Sequence, residues 1–182
     1  MPVAPGFQDT IRSPMPPLRR IRHCAVVASF AWMVAMSGCA HQPTIIGGLT
    51  ATQIAMLKED GFVQTDDGWN LNLSAKLLFG TDADSISAAS TTSIAKLAQS
   101  LRSVGLERVI VLGYTDSEGT DAHNLALSER RAEAVASAMM ASGLLQQNIQ
   151  IVPMGKQRPI ADNRTAAGRA QNRRVVVVVP AK

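Results

Sequence analysis

At 182 residues the chain is long enough for one domain with additional segments. It carries a formal charge of +4, part of which sits in Arg19, Arg20 and Arg22 near the N-terminus. Aromatic residues make up 4% and do not interleave with basic ones along a stripe, which argues against a nucleic-acid-binding surface.

Behind those arginines, residues 25–36 form an apolar run that ends at Met36-Ser37-Gly38-Cys39-Ala40. A basic region, a short apolar region and small residues before a cleavage point predict a secretory signal over residues 1–38. The run is shorter than the roughly 20 residues a bilayer-spanning helix needs. Small residues directly before Cys39 resemble a bacterial lipobox, in which the cysteine is lipidated and becomes the new N-terminus. Ala40, rather than Asp, at the next position predicts sorting to the outer membrane by the enterobacterial rule. Residues 1–14 fit no signal-peptide region, and Met15 is an alternative start. Cys24 leaves with the signal and Cys39 takes lipid, so no disulfide is predicted and stability rests on an ordinary core.

Residues 39–72 are predicted to hold the lipidated N-terminus, a tether and a partner-binding segment, and residues 73–182 the domain proper. Pro43, Gly47 and Gly48 mark the tether. Ala51–Glu59 has helix-forming composition, with Ile54, Met56 and Leu57 as apolar positions and Gly61 beyond its end. An Asp66-Asp67-Gly68 turn then separates Phe62-Val63 from a strand alternating Trp69, Leu71 and Leu73 against Asn70 and Asn72. Two readings stand for this segment: it packs on its own domain, or it exposes Leu57, Phe62 and Trp69 as apolar anchors for a partner.

Leu77-Leu78-Phe79 is read as closing the first strand region, with residues 80–85 as a loop. The Asp82-x-Asp84 pair lacks the Gly and distal Glu of a calcium loop, so no metal is predicted. Ile94, Leu97, Leu101 and Val104 recur at helix spacing as a core face, with Gly105 at the end. Residues 108–112 read as the second strand. A polar turn holding Asp116 follows, then a helix from after Gly119 to Ala141. On that helix Leu127, Arg131, Val135 and Ala138 share a stripe facing the sheet, while Arg130 lies on the solvent line with Glu133. A guanidinium on the inner stripe needs a counter-charge, and Asp116 is the nearest candidate in sequence. The pair is either a structural salt bridge or a cleft in which Asp116 takes an ammonium and Arg131 forks onto a carboxylate, gripping a zwitterionic amino-acid head.

Residues 148–152 read as a third strand and residues 153–168 as a long polar loop. The valine run that follows Arg174 suits a strand buried on both faces, placed inside the sheet. Arg169, Asn172 and Arg173 precede it and are predicted to fix the long loop rather than to touch a ligand. The predicted architecture is an α/β two-layer sandwich, a mixed sheet of about four strands with two main helices on one face. No catalytic set emerges: the processed chain keeps His41 and His123, with neither a Gly-x-Ser-x-Gly motif nor a phosphate loop. No enzyme activity and no cofactor are predicted.

The blocks Gly113-Tyr114-Thr115-Asp116-Ser117-x-Gly119, Asn124, Leu127-Ser128-x-x-Arg131-Ala132, residues 159–163 (Pro-Ile-Ala-Asp-Asn) and residues 168–175 (Gly-Arg-Ala-Gln-Asn-Arg-Arg-Val) resemble the OmpA-like peptidoglycan-binding domain. The resemblance implies that Asp116 and Arg131 hold the free end of meso-diaminopimelate in the cell-wall stem peptide. It also implies that Asn124 belongs to the ligand-binding set, and that Gly80, Thr81 and Asp82 border the site and offer backbone N–H groups to a carboxylate. Tyr114 stands where the family often has His. Further upstream, residues 57–62, 65–66, 68–69 and 76–80 resemble outer-membrane lipoproteins of a signalling system. In that system the lipoprotein sequesters a soluble periplasmic repressor and so releases an inner-membrane diguanylate cyclase. The expectation is therefore a periplasm-facing, lipid-anchored wall-binding protein, either with that signalling role or as a purely structural tether between outer membrane and wall. The oligomeric state is left open, a dimer included.

Overall fold

Strand pairing in the C-terminal half is dictated by β-branched residues, and the helices follow from where their apolar stripes can be covered. In this computed structural model the described residues are 45–46, 48–79 and 85–180, and His41–Lys182 forms one compact unit. The chain begins with β1 (Ile45–Ile46), β2 (Leu49–Thr50), α1 (Ala51–Glu59), β3 (Val63–Thr65), β4 (Gly68–Ser74) and α2 (Ala75–Phe79). It continues with α3 (Ala88–Ser103), β5 (Val109–Tyr114), α4 (Asp121–Ala141), β6 (Ile149–Gly155), α5 (Ala166–Asn172) and β7 (Arg174–Pro180). β1 and β2 form a small antiparallel pair, and the other strands make one five-stranded sheet in the order β3-β4-β7-β5-β6. β5 and β6 run parallel while β3–β4, β4–β7 and β5–β7 are antiparallel, so the sheet is mixed as predicted. Its fifth strand is the short edge strand β3.

β7 lies between β4 and β5, where the valine run was placed. Val175, Val177 and Val179 enter the main core, while Val176 and Val178 pack with Tyr114 on the opposite face. The main core also takes Ile94, Leu97 and Leu101 from α3, and Val135 and Met139 from α4. Burial at this spacing, rather than intrinsic propensity, holds these helices in place. Among the described residues no helix is long and apolar enough to cross a membrane.

Several expectations are corrected. Leu77, Leu78 and Phe79 belong to a helical turn rather than to the first strand. The ladder ends where the Ala75 amide turns to the Arg173 carbonyl (3.0 Å), and helix-favouring Ala75, Lys76 and Leu77 continue it as α2. That turn buries Leu78 and Phe79 and leaves Leu77 77% exposed. β6 runs through Pro153 to Gly155, because an edge strand tolerates a residue without an N–H. The end of the predicted long loop is α5, capped by the Thr165 hydroxyl, which accepts from the Gly168 amide.

The segment proposed to meet a partner is part of the fold. α1 matches its predicted bounds and opens on a capping box between Thr50 and Gln53. The Gln53 side chain then donates to the Val104 carbonyl at the end of α3 (2.9 Å). Leu57, Phe62 and Trp69 are 0%, 4% and 6% exposed and join the main core. An open anchor surface made of these three side chains is therefore corrected: their apolar area is already covered by their own sheet and helices. The boundary drawn at residue 73 falls inside β4, which pairs with β7 from Gly68 to Ser74.

Candidate functional site

The site loop, residues 115–120, connects the end of β5 to the start of α4. Both flanks are held tightly. A Cβ on Gly113 would lie 2.0 Å from the Ser128 carbonyl oxygen, so α4 rests directly on the backbone of β5. The Ser128 hydroxyl donates to the Leu125 carbonyl (2.7 Å) and accepts from the Gly155 amide (3.0 Å), tying α4 to the end of β6. The Gly155 carbonyl in turn accepts from the Thr115 amide (2.8 Å).

Within the loop, Asp116 closes an Asx turn: its Oδ1 accepts from the Glu118 amide at 3.1 Å. Gly119 follows at φ +87°, a left-handed conformation suited to glycine. Thr120 then caps α4 by accepting from the His123 amide. Asn124 is buried, and its Nδ2 donates to the Glu118 carbonyl (2.8 Å). Asn124, expected as a ligand residue, braces the loop from behind through this contact at 2% exposure.

The C-terminal part of the chain grips the same loop. Arg173 donates from Nη1 to Asp116 Oδ2 at 2.7 Å, and Arg169 meets Glu118 at 2.9 Å. Asn172, fully buried, accepts from the amides of Ile160 and Ala161 and donates to the Ala161 carbonyl and to Asn163 Oδ1. Asn163 Oδ1 also accepts from the Ser117 amide (3.3 Å). One buried amide thus fixes residues 160–163, and these in turn steady the loop that carries Asp116. The expectation that Arg169, Asn172 and Arg173 serve the long loop alone is corrected, since Arg169 and Arg173 reach across to residues 116–118. The expectation that Arg131 is the counter-charge of Asp116 is likewise corrected: Arg173 makes that ion pair.

Arg131 lies on the inner face of α4 at 8% exposure. Helical side chains point toward the N-terminus of their helix, so its guanidinium is carried back toward the loop end. It stands over the Phe79 ring, 5.6 Å from the centroid, within cation–π range. Arg130 is exposed, as its position on the solvent line predicted. Phe79 ends α2, and Gly80, Thr81 and Asp82 directly after it lie outside the described residues, as does Cys39. Behind the site, Arg174 stacks on Tyr114 at 3.8 Å and donates to the carbonyls of Asn172 and Arg158. Burial pushes the Arg174 guanidinium below its ordinary pKa, and Tyr114 works against that shift.

Among the described residues no group of three or more His, Cys, Asp or Glu could hold a metal ion. The site pairs the buried Asp116 carboxylate with the half-open Arg173 guanidinium, while Arg131 lies buried over Phe79 on the helix that follows; carboxylate and guanidinium are the groups that hold a small zwitterion. Sequence reasoning missed Arg173 as a neighbour of Asp116. The density of arginine in residues 164–174 was the available signal, but it carries no information on which acid each arginine meets.

Comparison with known proteins gives the family and the fold. The OmpA family pattern matches residues 78–173. The outer-membrane lipoprotein YfiB of Pseudomonas aeruginosa is 40% identical over 156 residues, 86% of this chain and 92% of that protein. The crystal structure of the peptidoglycan-associated lipoprotein from Burkholderia pseudomallei superposes with a TM-score of 0.52 at 33% identity, over 59% of this chain and 87% of that one. The cell wall anchor of the type VI secretion system (T6SS) from Pseudomonas aeruginosa superposes with a TM-score of 0.61 at 26% identity, over 71% of this chain and 97% of that one.

Proposed function

The chain belongs to the OmpA family, among its YfiB-type outer-membrane lipoproteins, and from that premise we propose that it is lipid-anchored at Cys39 in the outer membrane and binds peptidoglycan through the meso-diaminopimelate stem peptide. It is not an enzyme: the OmpA family domain is a non-catalytic binding module. The observation that carries the reading is Asp116, 7% exposed yet held on a loop at the end of β5, with an ordered guanidinium against it. A carboxylate so placed takes an ammonium in a fixed orientation. Arg131 takes the accompanying carboxylate, and residues 80–82 border it. Co-sedimentation with purified sacculi tests this, with soluble meso-diaminopimelate as competitor; a chain that stays in solution, or is not displaced, contradicts it. Cys39→Ser tests the anchor, since a variant that still partitions into detergent after signal removal has its lipid elsewhere.

A second reading concerns signalling: the region of Ala51–Trp69 captures a soluble periplasmic repressor, and an inner-membrane diguanylate cyclase is thereby released. The support is the extent of the YfiB match, which spans 86% of this chain and therefore takes in more than the wall-binding module. With Leu57, Phe62 and Trp69 in the core, capture requires α1 to leave its seat first. A purely structural tether needs no such step. Pull-down of periplasmic protein on a chain with and without this segment separates the two.

A further inference from the structure

Resting on the lipid anchor at Cys39 read above, we propose that the end of the sheet opposite Asp116 docks on the phospholipid surface of the membrane that holds the anchor. Strand direction gives the domain two ends. Asp116 follows the end of β5, whereas the start of β5, the start of the parallel β6 and the end of the antiparallel β7 lie together at the other. A cavity of about 610 Å³ opens at that second end, lined by Leu49, residues 105–110, residues 147–150 and the last two residues of β7. Leu49 pairs with Ile46 of β1, so the first strand after Cys39 reaches the rim of this cavity. Ile45 is six residues on from Cys39, a span of at most roughly 20 Å when fully extended. A strand rises about 3.3 Å per residue, which sets Asp116 roughly 20 Å away from the cavity end.

The chemistry of the cavity end suits a leaflet interface. Leu145, 54% exposed, opens the turn Gln146–Asn148 beside the cavity. Arg102 and Arg108 are also exposed there. Arg102 donates to the Ser142 carbonyl (3.3 Å), three residues before Leu145, and the acid next to Arg108, Glu107, accepts from Asn148 Nδ2 at 3.4 Å. A leucine with guanidiniums near it places an apolar side chain at the acyl boundary and cations among the phosphates. One leucine and two arginines do not hold a free domain on a membrane. A short tether changes that, because it keeps the face at an effective concentration in the millimolar range, where weak contacts suffice. Attraction of the arginines is strongest on an anionic surface and fades within a Debye length. Docked in this way, the domain points Asp116 away from the membrane, and its own height carries the wall site outward.

Site-specific labelling of the processed chain in vesicles tests this. Cys24 leaves with the signal and Cys39 carries lipid, so an introduced cysteine is the one free thiol. Leu145→Cys marks the cavity end, and Ala126→Cys, exposed on α4 near the Asp116 loop, is the comparison. Each takes a polarity-sensitive fluorophore. Each chain is then reconstituted in vesicles of phosphatidylethanolamine and phosphatidylglycerol, with and without a phospholipid bearing a nitroxide high on its acyl chain. The label at 145 is expected to shift to the blue and to lose most of its intensity to the nitroxide, and the label at 126 to do neither. Arg108→Glu, added to Leu145→Cys, shifts docking about tenfold toward the undocked state and restores intensity. No response at 145 in a chain retained on the vesicles overturns the proposal, as do equal quenching at both positions and unchanged quenching with Arg108→Glu. A blue shift that grows with protein density and ignores the nitroxide marks a second copy on this face, and overturns it too. If Leu145→Cys does not fold, Gln147→Cys, exposed on the same turn, takes its place. A chain that washes off the vesicles, or takes a second label at Cys39, removes the anchor reading itself and this proposal with it.

Discussion

Gly113 and Ser128 meet backbone to backbone: a Cβ on the glycine would stand 2.0 Å from the serine carbonyl oxygen and 2.8 Å from its carbonyl carbon. The contact seats α4, which carries Arg131, on β5, whose end leads into the loop that carries Asp116. Gly113→Ala is expected to cost at least about 1–3 kcal/mol, the usual range for inserting a methyl group where there is no room. Gly105→Ala is the comparison: Gly105 has φ +73° but nothing within 4 Å of a Cβ, so it loses only its backbone preference, about 1 kcal/mol. Thermal unfolding of both variants checks this, and equal shifts would contradict the packing argument.

Asp116→Asn and Arg131→Ala should each weaken retention on sacculi about tenfold to a hundredfold, because a charge-assisted contact is worth roughly 1.5–3 kcal/mol. Arg130→Ala should change retention little, since that side chain is exposed on the outer face of α4. Co-sedimentation across a range of wall concentrations gives the ratios. Retention of Arg131→Ala equal to the parent's would sink the assignment of that residue.

Leu57→Pro should release α1. Leu57 is fully buried in the helix that joins the Thr50–Gln53 cap to the core, and proline in a helix interior costs about 3 kcal/mol before any loss of packing. Trp69, 6% exposed in the folded unit, would then gain water contact. A red shift of Trp69 emission in the processed chain is the structural readout, and stronger binding of a purified repressor by calorimetry is the functional one. An emission spectrum matching the parent's would show that α1 stays docked.

Acid should loosen the turn at Asp162. Hydrogen bonds from the Arg164 side chain, and then from its amide, hold this solvent-facing carboxyl below its ordinary pKa. A lowered value in the folded state means that the contribution is present above the unfolded value, about 3.9, and is lost as pH falls through the folded one. Asp162→Asn should therefore melt slightly below the parent at neutral pH and converge with it in acid. A gap that widens as pH falls would reverse the sign of this argument.

Much of the fold is written locally. The bounds of α1 follow from helix-forming composition closed by Gly61, the inner face of α3 and the solvent position of Arg130 from a 3.6-residue period, and the central place of β7 from valines that leave no polar face. The reading of Leu77, Leu78 and Phe79 as strand went wrong because a short apolar run carries no period long enough to tell strand from helix. There the end of the β4 ladder decided. Leu57, Phe62 and Trp69 were legible as apolar but not as covered, since coverage depends on elements distant in the chain.

The site divides along the same line. The sequence by itself determined that residues 113–119 end a strand in a polar turn with Asp116, and that Arg131 sits on the inward stripe of the helix that follows. Both statements concern neighbours along one stretch of backbone, where side-chain direction repeats with a known period. That Arg173 meets Asp116 across 57 residues of chain was decided only by tertiary structure. Antiparallel pairing of β5 with β7 sets Tyr114 opposite Arg174, which brings the residue before β7 beside the loop after β5. Register between strands is a relation between distant segments, fixed by which apolar faces bury each other, so no local pattern around either residue encodes it.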